Sequence, residues 1–358
     1  MTFRDLQTSY IERLKNGGSP CPEDEAEKII LEGFGMDRLR LFTSQRDQAP
    51  AEGLAKAEGI LAERLSGRPL QYVLHRAYFM DLELYVDERV LIPRQDTELV
   101  AQTAEEWIEE KFGGAEPGSA LCDGDNAGRG MPKPRILDLC TGSGALAVWL
   151  KHRFPGASVT ASDISPKALE VSRLNANNNG CCITFVLADL FGSSASPKED
   201  GRKEKAPWGP SSPDDGPAAS CGSGSSGDRT AFSGGRGPSD CSPASTGSPL
   251  AGSFDVIVTN PPYIPTGDIP GLMADVRDHE PHLALDGGES GLDIVRRIID
   301  QAPRRLAPGG LLLMEIGEGE GDAVKRLAED RGAFTDISIR KDLNGLDRML
   351  YCVRKEEE

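Results

Sequence analysis

Apolar residues recur along the first ~75 positions at the spacing of amphipathic helices. Phe3, Leu6, Tyr10 and Leu14 make one stripe, broken at Gly17-Gly18. Ile29, Ile30 and Phe34 make a second, capped by Ser19 and stopped near Gly35; Leu54, Ala57, Leu61 and Leu65 make a third. Over 78–92 (YFMDLELYVDERVLI) the period falls toward two, which predicts a short hairpin. A helix over 97–112 leads into the rest of the chain.

From residue 134 onward strand and helix patterns alternate. Strands are expected over 135–139, 158–162, 183–188, 254–259, 311–316, 334–340 and 348–354, with helices over 145–153, 166–177, 292–306 and 320–330. Such alternation predicts an α/β fold: a doubly wound, mostly parallel sheet of seven strands with helices on both faces. The final hairpin, turning around Asn344-Gly345, supplies one antiparallel strand. The organisation expected is a helical domain over 1–75, a hairpin linker over 76–95, and a larger domain over 96–358.

Composition interrupts this plan twice. Residues 193–253 contain 15 Ser, 11 Gly and 8 Pro, with Trp208, Phe232 and Leu250 as the large apolar side chains. Too little apolar surface is available there to offset the entropy of ordering the chain, so a disordered insertion is expected. The Gly-rich stretch 113–132 reads as a shorter flexible bridge. The whole chain has 40 basic and 57 acidic side chains, a net charge of −17. A duplex-DNA binder draws much of its affinity from neutralising phosphates, so nucleic acid is a disfavoured partner. No apolar run reaches the length of a membrane span, and the start MTFRDLQTSYIERLK has no apolar signal core. The eight cysteines are scattered, which predicts neither disulfides nor a structural zinc site, and no metal is expected. A soluble cytoplasmic protein is the expectation.

Three strand ends carry the candidate chemistry. Asp138-Leu-Cys140-Thr141-Gly142-Ser143-Gly144-Ala lies between the first strand and helix of the sheet, where such folds bind ligands. The spacing Gly142-x-Gly144-x-x-Ala147, with Asp163 about 20 residues on, suits a ribose-bearing cofactor, either NAD or S-adenosylmethionine. Asp189 and Leu190 end the third strand. Asp189 is either an acceptor for an adenine amine, with Leu190 lining the ring slot, or a plain strand-end cap.

Asn260-Pro261-Pro262-Tyr263 at the fourth strand end narrows the choice. Two prolines give a rigid turn without N–H donors, which presents carbonyl acceptors. The Asn260 side-chain oxygen and the Pro261 carbonyl are suited to accept both hydrogens of an amide or aromatic –NH2, with Tyr263 stacked on the group that carries it. Held so, the nitrogen directs its lone pair at an electrophile such as a sulfonium methyl, by positioning and electrostatics rather than base catalysis.

With DLCTGSGA, Asp163 and NPPYI, the chain resembles the class I S-adenosylmethionine-dependent methyltransferases of the amino-group type. The resemblance is closer still to the HemK/PrmC family, the protein-(glutamine-N5) methyltransferases that modify peptide-chain release factors. It extends to Gly67-Arg-Pro-Leu-Gln-Tyr72, Val90-Leu-Ile-Pro-Arg94, Asp96-Thr-Glu98, Asp275-Val-Arg-Asp-His-Glu-Pro281, Gly287-Gly288 and Leu311-Leu-Leu-Met-Glu-Ile-Gly317. It implies S-adenosylmethionine contacts from Cys140, Thr141, Gly142, Ser143, Gly144, Asp163, Leu190 and Asn260, to which the strand-end reading adds Asp189 as a candidate. It implies a target glutamine held by Asn260, Pro261, Pro262 and Tyr263, of which Asn260, Pro261 and Tyr263 are catalytic. The partner implied is a release factor, recognised by the N-terminal domain of a monomeric enzyme. Cys140 stands where the family usually has Gly, and Gln95 where it usually has Pro. The rivals are glutamine methylation of a ribosomal protein, methylation of DNA adenine, an NAD enzyme that would leave NPPY unexplained, and a non-catalytic interaction protein.

Overall fold

The computed structural model describes residues 1–113, 133–192, 250 and 252–356. The expected flexible bridge and disordered insertion, apart from their ends, lie outside the described residues.

The N-terminal stripes fold as helices packed on one another. In α1 (Phe3–Asn16), Phe3, Leu6, Tyr10 and Leu14 are the buried face, and Thr2 and Asp5 form a reciprocal capping box. Helix α2 (Pro22–Phe34) starts without the expected Ser19 cap: the Ser19 hydroxyl accepts the Cys21 N–H instead, and Pro22 sets the first helical turn. Its end is as expected, with Gly35 in the left-handed region at φ 58°. Helices α3 (Arg38–Thr43), α4 (Ala51–Leu65) and α5 (Leu70–Leu74) complete this region. Both α3 and α5 are too short to display a period and were not anticipated. One apolar core joins Leu6, Tyr10, Ile29, Ile30, Ala57 and Leu61.

The expected hairpin is shorter than its pattern. Strands β1 (Ala77–Phe79) and β2 (Leu82–Leu84) pair antiparallel, after which the chain leaves the ladder. Asp87 takes over the local hydrogen bonding by accepting the Arg89 N–H, while Val86, Val90 and Ile92 stay buried against Tyr72, Ala168 and Val171. Burial on one side mimicked strand alternation there.

Helix α6 (Gln95–Phe112) then begins with Gln95 at the first helical position, where Pro is also well accommodated. The sheet follows: β3 (Arg135–Leu139), α7 (Ala145–Arg153), β4 (Ser158–Asp163), α8 (Pro166–Asn178), β5 (Thr184–Leu187), β6 (Phe254–Thr259), α9 (Ala274–His279), α10 (Asp293–Gln301), β7 (Leu306–Glu315), α11 (Gly321–Arg331), β8 (Phe334–Lys341) and β9 (Asp347–Arg354). Strand order is β5-β4-β3-β6-β7-β9-β8, with β9 antiparallel to its neighbours. This is the doubly wound seven-stranded sheet expected. Strand β7 starts five residues earlier than anticipated, because Pro308-Gly309-Gly310 reads as a turn yet forms an irregularity within the strand. Apolar layers cover both faces: Val148, Leu150, Val256 and Leu313 on one, Ile257, Val295, Ile298 and Leu312 on the other.

Motif residues tie the helical region to the sheet. The buried Tyr72 hydroxyl donates to the Val90 carbonyl at 2.6 Å, and Arg68 reaches Glu88 at 2.8 Å. Asn175 of α8 pairs with the Tyr85 backbone and donates to the Ser143 carbonyl at 2.8 Å, so linker and glycine loop share one anchor. Cys21, Cys140, Cys181 and Cys352 are free thiols, but Cys182 is disulfide-bonded, contrary to the expectation of none. Among the described residues no helix is long and apolar enough to cross a membrane, and no cluster of side chains is suited to a metal.

Candidate active site

Strand order reverses between β3 and β6, and the candidate residues gather at the carboxyl ends of those strands. The turn after β3 takes left-handed conformations at Cys140 (φ 59°), Gly142 (φ 54°) and Gly144 (φ 84°). Gly142 faces open space, so its backbone is free to meet a ligand. Gly144 does something else: it does not line the cavity, and a Cβ there would sit 2.5 Å from the Ser172 hydroxyl. Its smallness lets α7 approach α8. Cys140 adopts a glycine-like conformation with a side chain, a strain of about 1–2 kcal/mol. Burial first, then the nearby Asp163, pushes its thiol far above the ordinary range, so it stays neutral.

The loop is held by a carboxylate that the sequence reading left unassigned. Asp138 is buried, and one of its oxygens accepts both the Thr141 hydroxyl at 2.6 Å and the Ala147 N–H at 3.0 Å. Burial pushes its pKa up to about 7, against the pull of those two bonds. The second bond satisfies a first-turn N–H of α7, as a remote helix cap.

A cavity of about 230 Å³ opens beside this loop, lined by Thr141, Gly142, Ser143, Asp163, Leu190 and Asn260 among others. Asp163 ends β4 with one oxygen accepting the Gly142 N–H and the other the Ser165 N–H, both at 2.9 Å. Desolvation raises its pKa while these N–H donors oppose the rise. A carboxylate has about four acceptor sites and the Ile164 N–H also draws on this one, so capacity remains for a ribose hydroxyl. Leu190 and Ile164 supply apolar wall beside it. Asp189 also lines the cavity, but its carboxylate receives Arg297 of α10 at 2.7 Å. An adenine amine there would share Asp189 with Arg297. An open glycine backbone, a ribose-level carboxylate and an apolar slot together fit S-adenosylmethionine.

A second, smaller cavity adjoins the first and is lined by Pro261, Tyr263, Leu91, Arg94 and Leu285. Asn260 borders both. Its Nδ2 donates to the Thr97 hydroxyl at 3.0 Å, and its Oδ1 makes no hydrogen bond among the described residues. Thr97 in turn donates to Glu315 Oε2 at 2.6 Å, and the Tyr263 hydroxyl donates to Glu315 Oε1 at 3.0 Å. The expected clamp Asn260–Tyr263 is thus assembled at one point, with Pro262 facing the larger cavity and Pro261 and Tyr263 the smaller.

Sequence reasoning assigned no role to Thr97, Glu315, Arg94, Glu280 or Arg297. Arg94 donates to both oxygens of Glu280 at 2.7 and 2.8 Å, and the Glu280 side chain is 1% exposed. Burial raises the Glu280 pKa to about 7, with Arg94 opposing. That pair fastens the segment after α9 to the segment before α6, joining the VLIPR and DVRDHEP stretches in space. An acid closing an otherwise apolar strand was the available signal for Glu315.

Two family profiles match the chain: one described as PrmC N-terminal domain over residues 5–74, and one described as methyltransferase domain over residues 136–202. The chain is 34% identical over its whole length to the release factor glutamine methyltransferase of Moorella thermoacetica, all of which it covers. It is 33% identical to the protein of that name from Bradyrhizobium diazoefficiens, over 94% of this chain and 89% of the relative. With the Geobacter sulfurreducens protein of the same name the identity is 31%, over 91% and 87%.

Proposed function

The chain belongs to the family of release factor glutamine methyltransferases, and from that premise we propose that it transfers a methyl group from S-adenosylmethionine to the side-chain amide nitrogen of a glutamine in a peptide-chain release factor. The observation that carries this reading is Asn260: placed where two cavities meet, it uses its nitrogen on Thr97 and keeps its oxygen for a substrate –NH2.

When bound, S-adenosylmethionine supplies an electrophilic methyl on a positively charged sulfur. Asn260 Oδ1 and the Pro261 carbonyl accept the two hydrogens of the glutamine amide. Tyr263, fixed by Glu315, offers its ring to the flat amide. Acceptors set off the amide plane draw the two hydrogens with them, make the nitrogen pyramidal and aim its lone pair at the methyl group; the methylated nitrogen then releases one of those hydrogens as a proton. The gain in basic character is needed because an amide nitrogen is a poor nucleophile. Arg94, held by Glu280, borders the smaller cavity and is suited to a main-chain carbonyl beside the target glutamine.

Cys140 to Ser143, Asp163, Asp189 and Leu190 are the residues assigned to the cofactor. Asp163→Ala is expected to weaken S-adenosylmethionine binding by about 1.5–3 kcal/mol, the worth of a hydrogen bond to a charged group. Turnover at saturating cofactor should hold near the wild-type value. Calorimetric titration checks this; an unchanged dissociation constant would remove Asp163 from the ribose site.

Residues 1–75 are assigned to partner recognition, 76–95 to the linker and 96–358 to catalysis. In support, Leu39 and Phe42 of α3 are 72% and 78% exposed, apolar area that a protein partner is suited to cover. The enzyme is taken to act as a cytoplasmic monomer with no nucleic-acid partner of its own. Release factors isolated from cells with and without this protein test the substrate: a methylated glutamine present only in the first supports it, and equal methylation in both opposes it.

A further inference from the structure

Glu315 closes β7, and its side chain is fully buried against the Asn260–Tyr263 turn. Its two oxygens are divided, one taking the Thr97 hydroxyl and the other the Tyr263 hydroxyl. A hydroxyl has a single hydrogen, so Thr97, having given its own to Glu315, meets Asn260 as an acceptor. We propose that Glu315 is a positioning residue that sets the donor–acceptor polarity of the clamp holding the target amide, an assignment that rests on the methyl-transfer reading above.

The logic is one of hydrogen counting. An ionised carboxylate can only accept, so both hydroxyls must turn their hydrogens toward it. Thr97 oxygen then selects the Asn260 amide orientation with nitrogen toward Thr97 and oxygen toward the target. A group with a donating and an accepting end at position 315 sets its donor against Thr97 and its acceptor against Tyr263, because the reverse would leave the buried Tyr263 hydrogen without an oxygen. Thr97 is then free to donate to Asn260, whose amide turns over and presents –NH2 to the –NH2 it should hold. Donor faces donor, and the target nitrogen loses its alignment.

The groups facing Glu315 are Thr97 and Asp96 from α6, Tyr263 from the turn after β6, and Arg348 from β9. Arg348 is itself committed to Asp342 at 3.1 Å and Asp96 at 3.5 Å. Burial pushes the Glu315 pKa up to about 7; the two hydroxyls and Arg348 pull it down, and Asp96 pushes it up. The raised value means that the carboxylate is ionised above neutral pH and carries a proton below it. A protonated carboxyl has one donating end and one accepting end, as a glutamine amide has.

Glu315→Gln, nearly isosteric, tests the proposal with a release factor as substrate. Above about pH 8, kcat should fall by about 100-fold, the scale of a misaligned reacting group. The S-adenosylmethionine dissociation constant and the release-factor KM should both stay within about twofold of wild type. The ratio of wild-type to variant kcat should shrink toward one as pH falls below about 6, where wild type acquires the same donor–acceptor pattern. A ratio independent of pH, or equal turnover at high pH, overturns the proposal. Thr97→Val should reproduce the loss and Thr97→Ser should recover most of it, because the hydroxyl is what the relay needs. If Glu315→Gln fails to fold, that pair decides: wild-type kcat in Thr97→Val overturns the relay, and loss with recovery by serine upholds it. Wild-type protein inactive on release factors removes the substrate reading and this one with it; active wild type with an equally active Glu315→Gln removes this one alone.

Discussion

Asn260→Ala is expected to lower kcat by about 10²–10³-fold, roughly 2.7–4 kcal/mol of transition-state stabilisation, while the protein stays folded. The fold should survive because Asn260 is only partly buried and makes one side-chain hydrogen bond, to Thr97, among the described residues. The rate should not, because its oxygen is the acceptor that holds the reacting nitrogen. Asn260→Asp is expected to fare little better despite keeping an oxygen at the site. The Thr97 hydrogen is already given to Glu315, so a second carboxylate at 260 would bring acceptor against acceptor. Single-turnover rates with saturating cofactor separate this from a binding defect. Near wild-type turnover in Asn260→Ala would show that another group holds the amide.

Asp138→Ala is expected to cost about 1–3 kcal/mol of stability and most of the cofactor affinity, whereas Asp138→Asn should lose little of either. The contrast follows from where the bonds go. The Thr141 hydroxyl and the Ala147 N–H both reach the same Asp138 oxygen. An asparagine carbonyl at that position keeps both bonds, and alanine keeps neither. Since burial holds the Asp138 pKa near neutrality, an uncharged side chain is already well tolerated at the site. Alanine instead strands a buried first-turn N–H of α7 and frees the Thr141–Ser143 backbone that forms the cavity wall. Thermal unfolding and S-adenosylmethionine titration of the two variants check the pattern. Equal damage by both would mean that the carboxylate charge, rather than its acceptor oxygen, is what the loop requires.

What could be read from sequence followed the range over which each signal acts. Strands β3 and β6 and helix α7 begin and end where the apolar pattern put them, because each is short, strongly patterned and bounded by Gly, Pro or Asp. Helix α9 and the opening of β7 escaped, the first for want of a full period and the second because Pro308-Gly309-Gly310 looks like a turn. The same holds within the site. Asn260 to Tyr263 was legible because two adjacent prolines after a strand make an unusual, rigid array. The relay behind it was not: Thr97 and Glu315 are 218 residues apart, and Arg94 and Glu280 are 186 apart. Only the closed sheet and the docked α6 bring those pairs together. Asp138 stood in plain view within the glycine motif, but its role as a clamp depends on the Ala147 N–H turning back toward it, a feature of three-dimensional packing.

The most direct test of methyl transfer to a release-factor glutamine is site-resolved mass spectrometry of purified release factor incubated with this protein and isotopically labelled S-adenosylmethionine. One labelled methyl group should appear on the side-chain nitrogen of a single glutamine, and the Asn260→Ala protein should leave it off. Label on a different residue type, or none on release factor while a ribosomal protein becomes labelled, would contradict the account.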